Sequence, residues 1–380
     1  MRPQTSGPRT NRTGMPAGGT SSTPIQGKFF HGKSASLSWR ATISRRLFLL
    51  VSLFLACLPL SAWGAPGGRD SFPLRISFQG RPRSLHDLGI LYGHRLGIFG
   101  KYGLSPVLQP ISGPSNLIAS ILNGDTHVAL VRGIAVAAIA EGAELAAVGI
   151  TTSNFPFSFF AGPGIGSSAD LRGKKIVLAS DSGLGGINAF FLGKMGLQGD
   201  GTVSVLSIPN TMDRLAALES GAVAGVLLTP PAAMIAAERG FRMLFDFTET
   251  GGPPENAVVF AVTSRAFLRD HPGETANFLR SLSEATYRMK RDREGAMETM
   301  AGHFAMDAAK DGKILSAVFD SFVLKHLSVV PRMDPDTVRS VIGAVSAGNP
   351  AAASLAVEQV CDYGAFRALE SEGFFLTFQD

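Results

Sequence analysis

From Leu74 onward, short runs of β-branched and apolar residues alternate with longer stretches of helical period. A chain patterned in this way folds as parallel sheets flanked by helices, so the expected class is α/β. The first series predicts strands over Leu74–Phe78, Pro106–Pro110, His127–Val131 and Leu145–Thr151, with helices over His86–Phe99, Ser115–Leu122 and Ile134–Glu141 between them. Gly103, Gly124 and Gly142 stand where these helices should stop. A second series predicts strands over Phe157–Ala161, Lys175–Ala179, Val203–Ile208, Ala222–Leu228 and Arg242–Phe245, with helices over Leu184–Met195, Met212–Glu219 and Pro231–Arg239. Two loops break the alternation, Thr152–Pro156 and Thr248–Pro254, and a further strand is expected over Ala257–Thr263. These are the natural crossings between two lobes, one formed by 65–154 with 255–380 and the other by 155–254. After Ser264 the pattern becomes helical, over Ser264–Asp270, Gly273–Arg291, Ala308–Leu324 and Asp334–Ser346. This tail is expected to wrap back on the first lobe.

Residues 1–64 read as a disordered extension followed by a signal peptide. The extension is rich in Ser, Thr, Gly, Pro and Arg without hydrophobic period. Ser44-Arg45-Arg46-Leu47-Phe48-Leu49 then runs into an apolar stretch ending at Leu60, too short for the roughly 20 residues that a membrane-spanning helix needs. The paired arginines resemble the twin-arginine export consensus. The small residues Ala62 and Gly64 suggest a mature chain starting at Ala65, while Cys57 after Leu55-Ala56 is an alternative lipidation site. The expected location is the periplasm.

The leader also accounts for the positive net charge. It holds eight Lys and Arg and no acid, so the rest of the chain carries 27 bases against 30 acids, close to −3. A basic balance therefore gives no support for nucleic-acid binding. Cys57 and Cys361 are the only cysteines, and the histidines beyond the leader are scattered singly, so neither an internal disulfide nor a metal or other cofactor is expected. The glycine-rich stretches Gly162–Gly166 and Gly183–Gly186 miss the dinucleotide spacing, and Gly173-Lys174 lacks the first glycine of a phosphate loop. No nucleophile elbow occurs.

Several short stretches carry candidate chemistry. Arg132 interrupts the apolar run His127–Val131 just before Gly133 and a helix. Its guanidinium can grip a carboxylate or sulfonate by two parallel bonds, or form a hinge ion pair. Ser180-Asp181-Ser182-Gly183 leads from a strand into a helix, where main-chain amides and hydroxyls either bind an anion or cap the helix. Thr152, Ser153 and Asn154 can bond a ligand or their own loop. Glu255 and Asn256 can meet an amine or form a turn after Pro253-Pro254, and Phe78, Phe155 and Phe157 can line a wall or the core.

The layout, together with Leu96-Gly97-Ile98-Phe99-Gly100-Lys101-Tyr102-Gly103-Leu104, Ala169-Asp170-Leu171-Arg172-Gly173-Lys174-Lys175-Ile176 and Pro254-Glu255-Asn256 followed by Ser264-Arg265-Ala266-Phe267, resembles the periplasmic solute-binding proteins of ABC importers. The type is that of nitrate, sulfonate and taurine binders, which includes the NMT1-like group. His127 departs from the family, which commonly has Asp there. The resemblance implies a two-lobed type II periplasmic binding protein fold with no catalytic residue. It also implies a small organic or inorganic ligand (sulfonate, nitrate, a related anion or a pyrimidine-like compound), a membrane permease and ATPase as partners, and a monomer. A solute sensor for a membrane receptor is the alternative. A pyrimidine-precursor synthase is disfavoured, because that branch depends on a cysteine-rich iron motif and only Cys361 remains after the leader. Ligands of open α/β sheets sit beyond the carboxyl ends of strands. The nominated cleft residues are therefore Phe78, Gln79, Gly80, Arg132, Gly133, Thr152, Ser153, Asn154 and Thr229, together with Ser180, Ser182, Gly183, Glu255 and Asn256.

Overall fold

The computed structural model describes residues 71–79, 84–178, 186–199, 201–248 and 253–378. The expectations for the leader, Cys57 and Ala65 lie outside them, as do Gly80, Ser180, Ser182 and Gly183. Among the described residues no helix is long and apolar enough to cross a membrane.

Among the described residues, two five-stranded sheets organise the fold, and each lobe is α/β. The first contains β1 (Phe72–Gln79), β2 (Leu104–Ile111), β3 (Val128–Val131), β4 (Leu145–Thr152) and β10 (Val259–Ser264), in the order β2-β1-β3-β10-β4. The second contains β5 (Ser158–Ala161), β6 (Lys175–Val177), β7 (Ser204–Leu206), β8 (Gly225–Leu228) and β9 (Arg242–Asp246), in the order β7-β6-β8-β5-β9. Each sheet holds one antiparallel strand, β10 in the first and β5 in the second. These are the strands by which the chain arrives from the other lobe. Coming from that side, they cannot run with their neighbours.

Burial follows from the period of two along each strand. In β10, Phe260 and Val262 face a core closed by the helices Pro114–Leu122, Ile134–Ala140 and Pro335–Ser346, whereas Val259 and Ala261 face Phe99, Phe278 and Leu369 on the other side. A strand buried on both faces reads as a continuous apolar run, which is why it was legible. The helix Pro272–Arg291 starts with proline in its first turn and buries Phe278, Leu279, Leu282, Ala285 and Met289, spaced three and four apart on one face.

The tail differs from expectation. A helix over Arg293–Phe304, not anticipated, is capped by Asp292, whose carboxylate accepts the Gly295 amide at 2.9 Å. The helix expected from Ala308 begins at Gly312, because Asp307 and Asp311 first close a turn, and it continues through Phe319–Val323 to His326. This segment does not return to the first lobe alone. Met300, Leu315, Phe319 and Phe322 join the core of the second lobe with Phe155, Phe157 and Phe191, while Tyr92 and Arg95 of the first lobe bond Asp292 and Gly295 at its start. The chain then runs back along β4, where Ser328 donates to Thr151 and Ile150 donates to Pro331.

Candidate functional site

A cavity of about 660 Å³ opens between the two sheets, with walls from both lobes and from the tail. In the first lobe the strand ends supply Gln79 and Arg132. In the second, Thr229 follows β8, and Asn210 and Thr211 open the helix Thr211–Glu219. Asn210 caps that helix by accepting the Met212 amide at 2.8 Å. Phe304 to Met306 close the third side.

Two arginines dominate the electrostatics. The Arg132 guanidinium lies 5.1 Å from the centre of the Phe155 ring, and its Nε is sealed from solvent with no hydrogen-bond partner. Burial lowers its pKa below the usual arginine range, opposed by Asp87. Arg214, only 5 % exposed, donates to three main-chain oxygens, of Ile208 at 2.7 Å, Leu227 at 3.1 Å and Pro209 at 3.3 Å. Burial, then the field of Arg132, lowers its pKa to about 10. At neutral pH both remain cations, and among the described residues neither forms an ion pair with a carboxylate. Two cations from opposite lobes in one cavity repel until an anion comes between them.

Electrostatically coupled to Arg132 is a largely buried cluster at the cavity wall. Ser84 Oγ and His86 Nδ1 share a hydrogen bond of 2.5 Å, His86 Nε2 is 3.4 Å from Asp87 Oδ1, and His303 Nε2 bonds the Ser84 carbonyl at 2.9 Å. Burial, reinforced by Arg132 and His303, holds the His86 pKa well below its usual value, so its imidazole is neutral. Burial raises the Asp87 carboxyl well above the carboxylate range, against the pull of Arg132.

Of the residues nominated from the sequence, Gln79, Arg132, Thr229 and Asn256 meet in this cavity. Phe78 is buried in its sheet, and Gly133 is buried at the start of the Ile134–Ala140 helix. Thr152 is bridged to Leu327 and Ser153 is exposed. Asn154 donates to the Thr248 carbonyl at 3.2 Å and accepts the Phe155 amide at 2.7 Å, which laces the two crossings together. Glu255 belongs to the helical turn Pro254–Ala257. Sequence reasoning missed Arg214, although a signal existed: it shares the buried face of its helix with Leu215 and Leu218, a place where a cation needs a reason. No local signal marks Phe304 or Met306, which reach the cavity through the tail.

The family model described as NMT1/THI5 like matches residues 86–296. No curated protein matches the chain in sequence. Among solved structures, the chain is similar to the periplasmic aliphatic sulphonate binding protein SsuA from Escherichia coli, at 17% identity and TM-score 0.59 over 73% of this chain and 91% of that one. Similar figures hold for the alkanesulfonate-binding protein SsuA from Xanthomonas axonopodis pv. citri bound to MOPS, with 17% identity, TM-score 0.58, and 73% and 93% of the two chains covered. The desulfurization enzyme DSZB is 15% identical at TM-score 0.58, over 79% of this chain and 99% of that one. All share the fold.

Proposed function

The chain belongs to the NMT1/THI5-like family, and from that premise we propose that it is an exported solute-binding protein that captures a small anion between its lobes. Closure by a hinge at the two crossings, release to a membrane permease and its ATPase, and the absence of any chemical step belong to the same reading. The observation that carries it is the pair of half-buried Arg132 and buried Arg214, which line one cavity from different lobes, neither of them in an ion pair with a carboxylate among the described residues. An anion between them gains charge-assisted bonds from both lobes at once, which favours the closed state.

Thermal-shift screening with sulfonates, carboxylates, nitrate and pyrimidines identifies the solute, and calorimetry then compares Arg132→Ala with the parent. A charged hydrogen bond contributes about 1.5–3 kcal/mol, so binding weakens about ten- to a hundred-fold while the circular dichroism spectrum stays unchanged. Equal affinity of the two proteins refutes the anion bridge. The solute should be recovered from the complex chemically intact; a converted product would make the protein an enzyme. N-terminal sequencing of the exported species should begin near Ala65.

A further inference from the structure

We infer that Asp87 is a proton-binding group of this site: when an anion settles on Arg132, a proton from solvent enters the buried Asp87–His86 pair, so that capture of the solute and uptake of a proton are coupled. The inference rests on the anion reading above and goes beyond it, because affinity then depends on pH even for a solute that does not itself titrate.

The helical turn Leu85–Asp87 sets His86 on the cavity wall and turns Asp87 away from solvent, 0 % exposed. Both Asp87 carboxyl oxygens are closed off without a well-formed hydrogen bond. The His86 ring is their one ion-pair partner among the described residues, with Nε2 3.4 Å from Oδ1. A carboxylate placed in this way loses its hydration without a replacement, and the protonated form is the easier one to bury. Burial accordingly holds the Asp87 carboxyl well above its ordinary range, while Arg132 and then the Ser84 amide oppose it. His86 is the neutral neighbour, its Nδ1 sharing a hydrogen bond of 2.5 Å with Ser84 Oγ.

Arg132 is what keeps that proton off. Its field works against protonation of both Asp87 and His86, and its own Nε is sealed with no hydrogen-bond partner. Phe155, at the crossing between lobes, lies 5.1 Å from the guanidinium and 6.5 Å from the His86 ring. Apolar surface rather than water therefore stands beside both groups, and the field between them is little screened. Two further groups face the arrangement. His303 of the tail helix bonds the Ser84 carbonyl at 2.9 Å and adds to the lowering of His86, and Arg214 on the second lobe's wall is itself depressed by Arg132. An anion on the guanidinium cancels much of its field, so the proton affinity of the pair rises, and by linkage the proton strengthens the anion by the same factor. Because the pKa of Asp87 is higher in the complex, affinity is greatest below the titration of the free protein and falls as pH rises through that of the complex.

The test is titration calorimetry of the full protein with nitrate and methanesulfonate, both ionised between about pH 5.5 and 8.5, a range in which His127, with its pKa near 4, stays neutral. It is run in imidazole and in bis-Tris, whose ionisation enthalpies differ, so that protons taken up with the anion are counted. The expected result is uptake of up to about one proton per anion and an affinity at least about fivefold higher at the acid end, the lower bound of couplings between linked sites. Asp87→Asn should abolish the uptake and hold the affinity level across the range. Carboxyl carbon resonances of the ligand-free protein give a second readout: the Asp87 signal should titrate above the ordinary aspartate range and move further up in Arg132→Gln. If Asp87→Asn does not fold, that shift decides. Uptake that survives Asp87→Asn but vanishes in His86→Gln overturns the assignment to Asp87. Anion binding with no proton uptake and a flat pH profile, or an Asp87 signal unmoved by Arg132→Gln, overturns the inference and leaves the anion reading standing. Failure of every anion tried to bind removes the anion reading and this inference with it.

Discussion

Arg214 spreads its charge over three main-chain oxygens, whereas Arg132 keeps one nitrogen sealed and unbonded. Leaving a buried donor unmade costs about 1–3 kcal/mol, so Arg132 is the group with most to gain from a ligand and Arg214 the one already anchored. Residues of the same scale set the response to acid. His127 accepts the Arg75 amide at 3.2 Å and stacks on Phe267, with ring centres 4.7 Å apart. Burial, then Arg75 and His271, lowers its pKa to about 4. The unfolded chain therefore takes up the proton first as pH falls, and stability present above about 6.5 is lost progressively toward 4. Urea midpoints measured across that window should fall with acid in the parent and fall less steeply in His127→Gln. Equal slopes would show that His127 does not titrate with folding. Legibility at this scale depended on contrast. Arg132 stood out against Val128–Val131, while Asn154, the last of the polar run Thr152–Asn154, carried no sign that its amide joins the two crossings.

Packing between elements is tightest where the helix Leu88–Arg95 crosses Pro272–Arg291. A Cβ on Gly93 would lie 2.8 Å from that of Ala285 and 3.1 Å from the Phe99 ring. Gly93→Ala should therefore destabilise the protein by about 1–3 kcal/mol, read as a lower melting temperature. An unchanged melting temperature would mean that the helices can separate at little cost. Ala305 gives the opposite expectation. A left-handed alanine is strained by about 1–2 kcal/mol, and Ala305→Gly should relieve about 1 kcal/mol, less the entropy that glycine loses on folding, which makes the variant more stable in urea. Strands and most helices of both lobes were readable because their apolar residues recur every two or every three to four positions. The Arg293–Phe304 helix was not, because apart from Met300 what it buries is Gly295, Ala296, Thr299 and Ala301, small or polar residues that make no apolar stripe.

For the whole molecule, the joints between lobes are more numerous than the two crossings first expected. The segment from Asp292 to His326 is fastened to the first lobe through Tyr92, Arg95 and Ser84, and its aromatic side chains lie in the second lobe's core. In the closure proposed above, this segment would travel with one lobe and slide along the other. With a saturating amount of the solute identified by thermal-shift screening, solution scattering should show a smaller radius of gyration, and amide exchange should slow at Ser153–Phe157 and around Phe304–Met306. Slowing at the crossings alone would show that the tail does not follow the ligand. The same architecture governs when the protein can fold. β10 lies between β3 and β4, and the second lobe's core waits for Leu315, Phe319 and Phe322. A ribosome that has just finished β9 has therefore made a first sheet whose β4 has no neighbour to join it to β3, and a second lobe with part of its core missing. Neither lobe reaches its final packing until residues beyond 327 have emerged, so the nascent chain stays open, with unpaired strand edges, for most of its synthesis.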